Sequence, residues 1–137
     1  MPTRSVLALA LTLACVAPAL GGETWETDFL KAQAEAKQRR VPLILDFTGS
    51  DWCGYCIKLK KKVFDSKEFA AWTRKRSAIL VELDFPKRKK LPKKLEAQNA
   101  QLSRVFKITG YPTVLLIDHT GKVIGRHGIN RASISEI

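Results

Sequence analysis

Apolar and polar positions along the chain switch repeatedly between a helical and an extended period. Trp25 to Arg40 carries the good helix formers Lys31, Gln33, Glu35, Ala36 and Lys37 around Phe29, Leu30 and Ala34, and predicts a helix. Val41 to Phe47 is a nearly continuous apolar run with Asp46 inside it, which predicts a strand covered on both faces. Thr48 to Asp51 reads as a loop. From about Cys53 to Val63, residues Cys56, Leu59, Lys60 and Val63 recur at helical spacing, with Lys58, Lys61 and Lys62 for the wet side. Ser66 caps a further predicted helix, Lys67 to Arg76, whose Phe69 and Trp72 share a face. Ile79 to Phe85 predicts a second buried strand, Pro86 to Lys94 a basic loop, and Leu95 to Lys107 another helix. Thr113 to Asp118 and Lys122 to His127 predict an antiparallel hairpin turned at His119-Thr120-Gly121, and a last helix starts near Arg131 and is cut off at Ile137. Alternating elements of this kind give an α/β fold, a central mixed β-sheet flanked by helices on both sides.

The first 22 residues have a different pattern. Arg4 supplies a positive start, Ser5 to Val16 is apolar, and Ala17-Pro18-Ala19 offers small residues for cleavage, the organisation of an export signal. The apolar run is shorter than the roughly 20 residues that span a bilayer, so a retained anchor is the weaker reading. Leu13-Ala14-Cys15 resembles the lipobox of bacterial lipoproteins, although Thr12 stands where leucine is usual, so lipidation of Cys15 is the alternative to soluble release. Residues 1–22 are therefore expected to be a signal peptide and 23–137 one exported domain, periplasmic or secreted, with lipid anchoring as a variant.

Composition narrows the remaining choices. With 137 residues, 45% hydrophobic and 27% charged, the chain has the makings of a single globular core. Three cysteines are too few for a disulfide-stapled miniprotein or a four-cysteine zinc ribbon. Loss of the signal takes Cys15 away and leaves Cys53 and Cys56. The formal net charge is +11. Its lysines and arginines cluster at 58–62, 74–76 and 87–94. Nucleic acid is excluded as a partner by export and by the absence of aromatics interleaved with the basic runs. A solvated face, or attraction to acidic proteins or an anionic membrane surface, accounts for the charge.

The chemistry lies in Trp52-Cys53-Gly54-Tyr55-Cys56, between a predicted strand and a predicted helix. Two intervening residues let the sulfurs meet across one helical turn, so a Cys53–Cys56 disulfide can form and open without moving the fold. The helix start favours negative charge on Cys53, which would attack, while Cys56, one turn inward, would resolve. An inert disulfide and a metal site are competing readings; the second needs two more ligands, and His119 and His127 lie far along the chain. Ile57 stands where a c-type haem motif requires histidine.

Three segments resemble the thioredoxin superfamily in order and separation: Leu45-Asp46-Phe47, Asp51-Trp52-Cys53-Gly54-Tyr55-Cys56 and Thr109-Gly110-Tyr111-Pro112-Thr113. Within it, Phe47 to Cys53 followed by Lys60 to Phe64 and Ser66 is most similar to exported bacterial thioredoxin-like proteins and the reductase domain of the electron transporter DsbD. The Gly54-Tyr55 pair is similar to that of a periplasmic disulfide isomerase. The resemblance implies a thioredoxin fold and a thiol–disulfide oxidoreductase exchanging disulfides with protein substrates and a redox partner protein, as a monomer and without a cofactor or metal. It makes Cys53 the nucleophile, Cys56 the resolving thiol and Asp46 a buried carboxyl that moves a proton for Cys56. It makes Tyr111–Pro112 a cis peptide beside the disulfide, where the Tyr111 backbone pairs with an extended substrate segment. Trp52, Gly54 and Tyr55 complete the expected substrate contacts. The family pattern is departed from three times. Asp46 to Cys53 is one residue longer than in ordinary thioredoxins. Glu82 stands where they often carry a lysine near the buried aspartate, so that a second carboxylate there is expected to push one of the two pKa values further up. The chain also ends before the last helix is complete. Reduction ranks ahead of oxidation and isomerisation. The alternatives from other classes are a non-catalytic peptide-binding module and a metal chaperone using the cysteine pair.

Overall fold

The computed structural model describes residues 23–128. The expectations for the export signal, for Cys15 and for a helix from Arg131 fall outside the described residues. Five strands form one sheet in the order β1-β3-β2-β4-β5. They are β1 (Trp25–Glu26), β2 (Leu43–Thr48), β3 (Ile79–Asp84), β4 (Thr113–Ile117) and β5 (Val123–Gly128). Strand β3 runs parallel to both β1 and β2, whereas β4 is antiparallel to β2 and to β5. The helices are α1 (Phe29–Arg39), α2 (Gly54–Leu59), α3 (Lys67–Arg76) and α4 (Lys93–Val105), and a π-helical turn, Lys60–Phe64, continues α2.

Period-2 alternation in β2 divides the interior. Leu43, Leu45 and Phe47 join Phe29, Ala32 and Ala36 of α1 and Leu102 of α4 in the main core. Ile44, Asp46 and Thr48 take the opposite face, where Ile44 lines one cavity with Val63, Phe69 and Trp72, and Asp46 lines another with Cys56. All six residues of β2 are buried, as its apolar run requires.

The segment predicted as one helix from Trp25 corrects to a strand followed by a helix. Trp25 and Glu26 pair with Leu80 and Val81, and the Trp25 ring packs 4.9 Å from Phe64 and 6.4 Å from Phe69. These long-range contacts outweigh local propensity, and the Asp28 carboxylate, accepting the Lys31 N–H at 3.1 Å, starts α1 only at Phe29. The helix predicted from Cys53 to Val63 widens at its end, where the Asp65 N–H reaches back to the Lys60 carbonyl at 2.9 Å. The hairpin turns as expected through Gly121 at φ 91°, with Asp118 Oδ1 accepting the Thr120 and Lys122 N–H groups at 2.8 and 3.1 Å.

Candidate active site

Strand β2 ends at Thr48, and the chain turns through Gly49 to Trp52 to set Cys53 as the N-cap of α2. The turn is fixed by the Gly49 carbonyl, which accepts the Cys53 N–H at 2.9 Å. Cys53 and Cys56 form a disulfide with a Cα separation of 5.2 Å, and both are buried. The Cys56 N–H donates to Cys53 Sγ at 3.2 Å, so a helix-start donor of the kind that favours negative charge is aimed at that sulfur. Cys56 Sγ accepts the Gly49 N–H at 3.4 Å. Gly54 and Tyr55 are exposed between them, and so is Ile57, a residue the sequence reading considered only as a missing haem ligand.

Asp46 lies beneath this helix, 6% exposed, and its Oδ1 has no hydrogen-bond partner. It opens with Cys56, Thr48, Lys60 and Glu82 into a cavity of about 300 Å³. Burial, reinforced by the charges of Glu82 and Asp84 and opposed by Lys60, pushes its carboxyl up to about 7. Burial, with Asp84 adding to it, also raises Glu82.

Tyr111–Pro112 is a cis peptide. Pro112 is buried and Tyr111 half-buried. The Tyr111 ring meets Trp52 edge-on at 5.9 Å and Phe85 at 5.1 Å. Trp52 in turn donates Nε1–H to the Phe85 carbonyl at 2.7 Å.

Two further carboxylates, Asp84 and Asp51, are not marked by the sequence pattern, because each bonds a segment more than 30 positions away. Asp84, 4% exposed, accepts the Ser50 N–H at 2.9 Å and pairs with Lys89 at 3.0 Å. Asp51 accepts the N–H groups of Lys87, Arg88 and Lys89 at 2.9, 2.8 and 2.9 Å, and these bonds hold its carboxyl down at about 2. Lys87 Nζ sits 4.0 Å over the Trp52 ring. The sequence pattern marks Thr48 to Asp51 only as a loop. His119 lies in the hairpin turn and His127 on β5, neither with the cysteines, and among the described residues no group of three or more His, Cys, Asp or Glu could hold a metal ion.

A family model described as a thioredoxin-like domain matches residues 29–135. The chain belongs to the thioredoxin-like domain family. A disulfide bond reductase, DsbH, of Chlamydia pneumoniae is 36% identical to this thioredoxin-like chain over 104 residues, covering 76% of it and 61% of the relative. The thioredoxin-related protein DsbJ of the same organism is 33% identical over 104 residues, covering 76% of this chain and 30% of DsbJ. The thioredoxin-like chain thus spans less than two thirds of the length of either relative. The solved structure of a DsbH oxidoreductase superposes with a TM-score of 0.74 at 30% identity, covering 98% of this chain and 91% of that one. A putative disulphide isomerase from Bacteroides thetaiotaomicron, with a TM-score of 0.56 and 24% identity over 88% of this chain and 92% of its own, shares the fold. Chemically, the thioredoxin-like site is a cysteine pair that can alternate between disulfide and dithiol above a carboxyl able to take up and release a proton near neutral pH.

Proposed function

We propose that the protein is an exported thiol–disulfide oxidoreductase that reduces disulfides in partner proteins. The observation that carries this reading is the Cys53–Cys56 pair at the start of α2, opening through Cys56 onto a buried, unpartnered carboxyl. In the reduced protein, the Cys53 thiolate attacks one sulfur of a substrate disulfide, forming a mixed disulfide and releasing the first substrate thiolate. Asp46 takes the Cys56 proton, and the Cys56 thiolate attacks Cys53 Sγ. The Cys53–Cys56 bond forms, the second substrate thiolate leaves, and two electrons have passed to the substrate. A dithiol partner resets the pair. Exposed Tyr55 and Ile57, with Trp52, Tyr111 and Pro112, frame the approach of an extended substrate segment.

The reductive direction is supported by the reductase name of a relative matched over most of this chain. Export rests on residues 1–22. The deciding experiment is the reduction potential of the Cys53/Cys56 couple, followed through Trp52 fluorescence in dithiothreitol or glutathione buffers. A potential near about −270 mV agrees with a reductant, and one near about −120 mV makes the protein an oxidant instead. Cys53→Ser should abolish dithiol-dependent insulin reduction, whereas a non-catalytic binding module would keep its partner affinity. Absence of any titratable couple overturns the reading.

A further inference from the structure

Behind the loop that Asp51 and Trp52 hold, and unused by the exchange chemistry, lies a second cavity of about 580 Å³ between residues 86–91 and the start of α4. Four lysines line it, Lys87, Lys89, Lys90 and Lys93, against two carboxylates, Asp84 and Glu96. Asp84 is already paired with Lys89, so the free balance at its mouth is positive. The N-cap of α4 is Pro92, which offers no side-chain acceptor, and the positive end of a 13-residue helix adds to the same field. The space is that of a pocket for several side chains rather than for one small ion.

The wall of this cavity is tied to the disulfide. Asp51, two residues before Cys53, holds three consecutive N–H groups of the loop, Trp52 holds the Phe85 carbonyl, and Lys87 lies on the Trp52 ring. The loop backbone at 87–89, with Lys87 on Trp52 and Lys89 on Asp84, is therefore set before any partner arrives, which spares the ordering cost of recruiting a mobile loop. A concave, rim-bound set of cations suits a protruding polypeptide segment better than a flat bilayer.

We propose that this cavity docks an acidic segment of the protein substrate, flanking the disulfide that Cys53 attacks. The proposal rests on the oxidoreductase reading and names the substrate class for it: proteins with clustered Asp and Glu near a reducible disulfide.

The test uses the protein without its first 22 residues and two fluorescent cysteine-free peptides, one rich in Asp and Glu and one with Asn and Gln at the same positions. Anisotropy should show the acidic peptide binding roughly tenfold or more tightly at low ionic strength, with the advantage lost at about 0.5 M salt. K90E/K93E should abolish that preference. In parallel, the same two sequences flanking a disulfide are reduced by the dithiol protein, and the ratio of the two rates is read. A ratio well above one that falls to about one in K90E/K93E supports the proposal. Equal binding of the two peptides, or a preference that survives charge reversal, overturns it. Pelleting with phosphatidylserine vesicles through the same lysines, without peptide preference, also overturns it and gives the patch to a membrane surface. Failure to reduce either disulfide while acidic-peptide binding persists would strike the oxidoreductase reading and leave the docking site standing.

Discussion

Asp46 and Glu82 are directly opposed on the adjacent parallel strands β2 and β3, and both face the cavity that Cys56 enters. Because cross-strand partners in register point to the same side of a sheet, the two carboxyls share one small, poorly solvated space. Glu82 therefore disfavours ionisation of Asp46, on top of the larger effect of burial, while Glu82 itself is raised by burial and by the charge of Asp84. A lysine at position 82 would act in the opposite sense.

Glu82→Gln should lower the Asp46 carboxyl from its value of about 7, since it removes the largest of the charges that raise it. The pH profile of disulfide reduction should shift toward lower pH, with a few-fold change in rate near neutrality. A profile that superposes on that of the unaltered protein would show that Glu82 does not act through Asp46.

The same carboxyl should make stability depend on pH. Its folded value of about 7 lies above the ordinary 3.8, so its contribution is full below about 4 and is lost as pH rises through about 7. The loss amounts to as much as about 4 kcal/mol by linkage. Urea midpoints of the oxidised protein should accordingly fall between pH 5 and pH 8, and Asp46→Asn should flatten that fall by stabilising the protein chiefly at pH 8. An Asp46→Asn variant with an unchanged slope would refute the assignment.

Gly49→Ala should destabilise the site-bearing loop. A Cβ there would lie 2.6 Å from Trp52 Nε1, closer than unbonded atoms approach, and the indole would have to move off the Phe85 carbonyl. The expected cost is about 1–3 kcal/mol. Thermal unfolding gives the stability change, and altered Trp52 emission in the folded protein would report the displaced ring.

Asp51→Ala removes the acceptor for three consecutive N–H groups of the 87–89 loop. Limited trypsin digestion should then cut after Lys87 to Lys90 several-fold faster than in the unaltered protein, because backbone held in a fixed loop must open before cleavage. Equal digestion rates would mean that the loop is held by Lys87 on Trp52 and Lys89 on Asp84 alone.

Much of the scaffold could be read locally. The apolar runs of β2 and β3, the Ser66 cap of α3, with its Oγ accepting the Phe69 N–H at 3.1 Å, and the Gly121 turn each depend on residues within a few positions of one another. The C-x-x-C pair was legible for the same reason: both sulfurs belong to one helical turn. Trp25–Glu26 was misread because a two-residue strand exists only through its pairing with β3 and the rings of Phe64 and Phe69.

The amino-acid sequence by itself thus determined the alternation of strands and helices, the cysteine pair and its place at a strand-to-helix junction, since these follow from side-chain period and short-range capping. Tertiary structure alone decided that Asp46 faces Glu82 in one cavity, that Asp84 and Asp51 reach across to Ser50 and the basic loop, and that the loop's lysines stand beside Trp52. Burial, Coulomb coupling and hydrogen bonds between distant segments depend on which strands become neighbours, and that is fixed only when the whole sheet closes on its core.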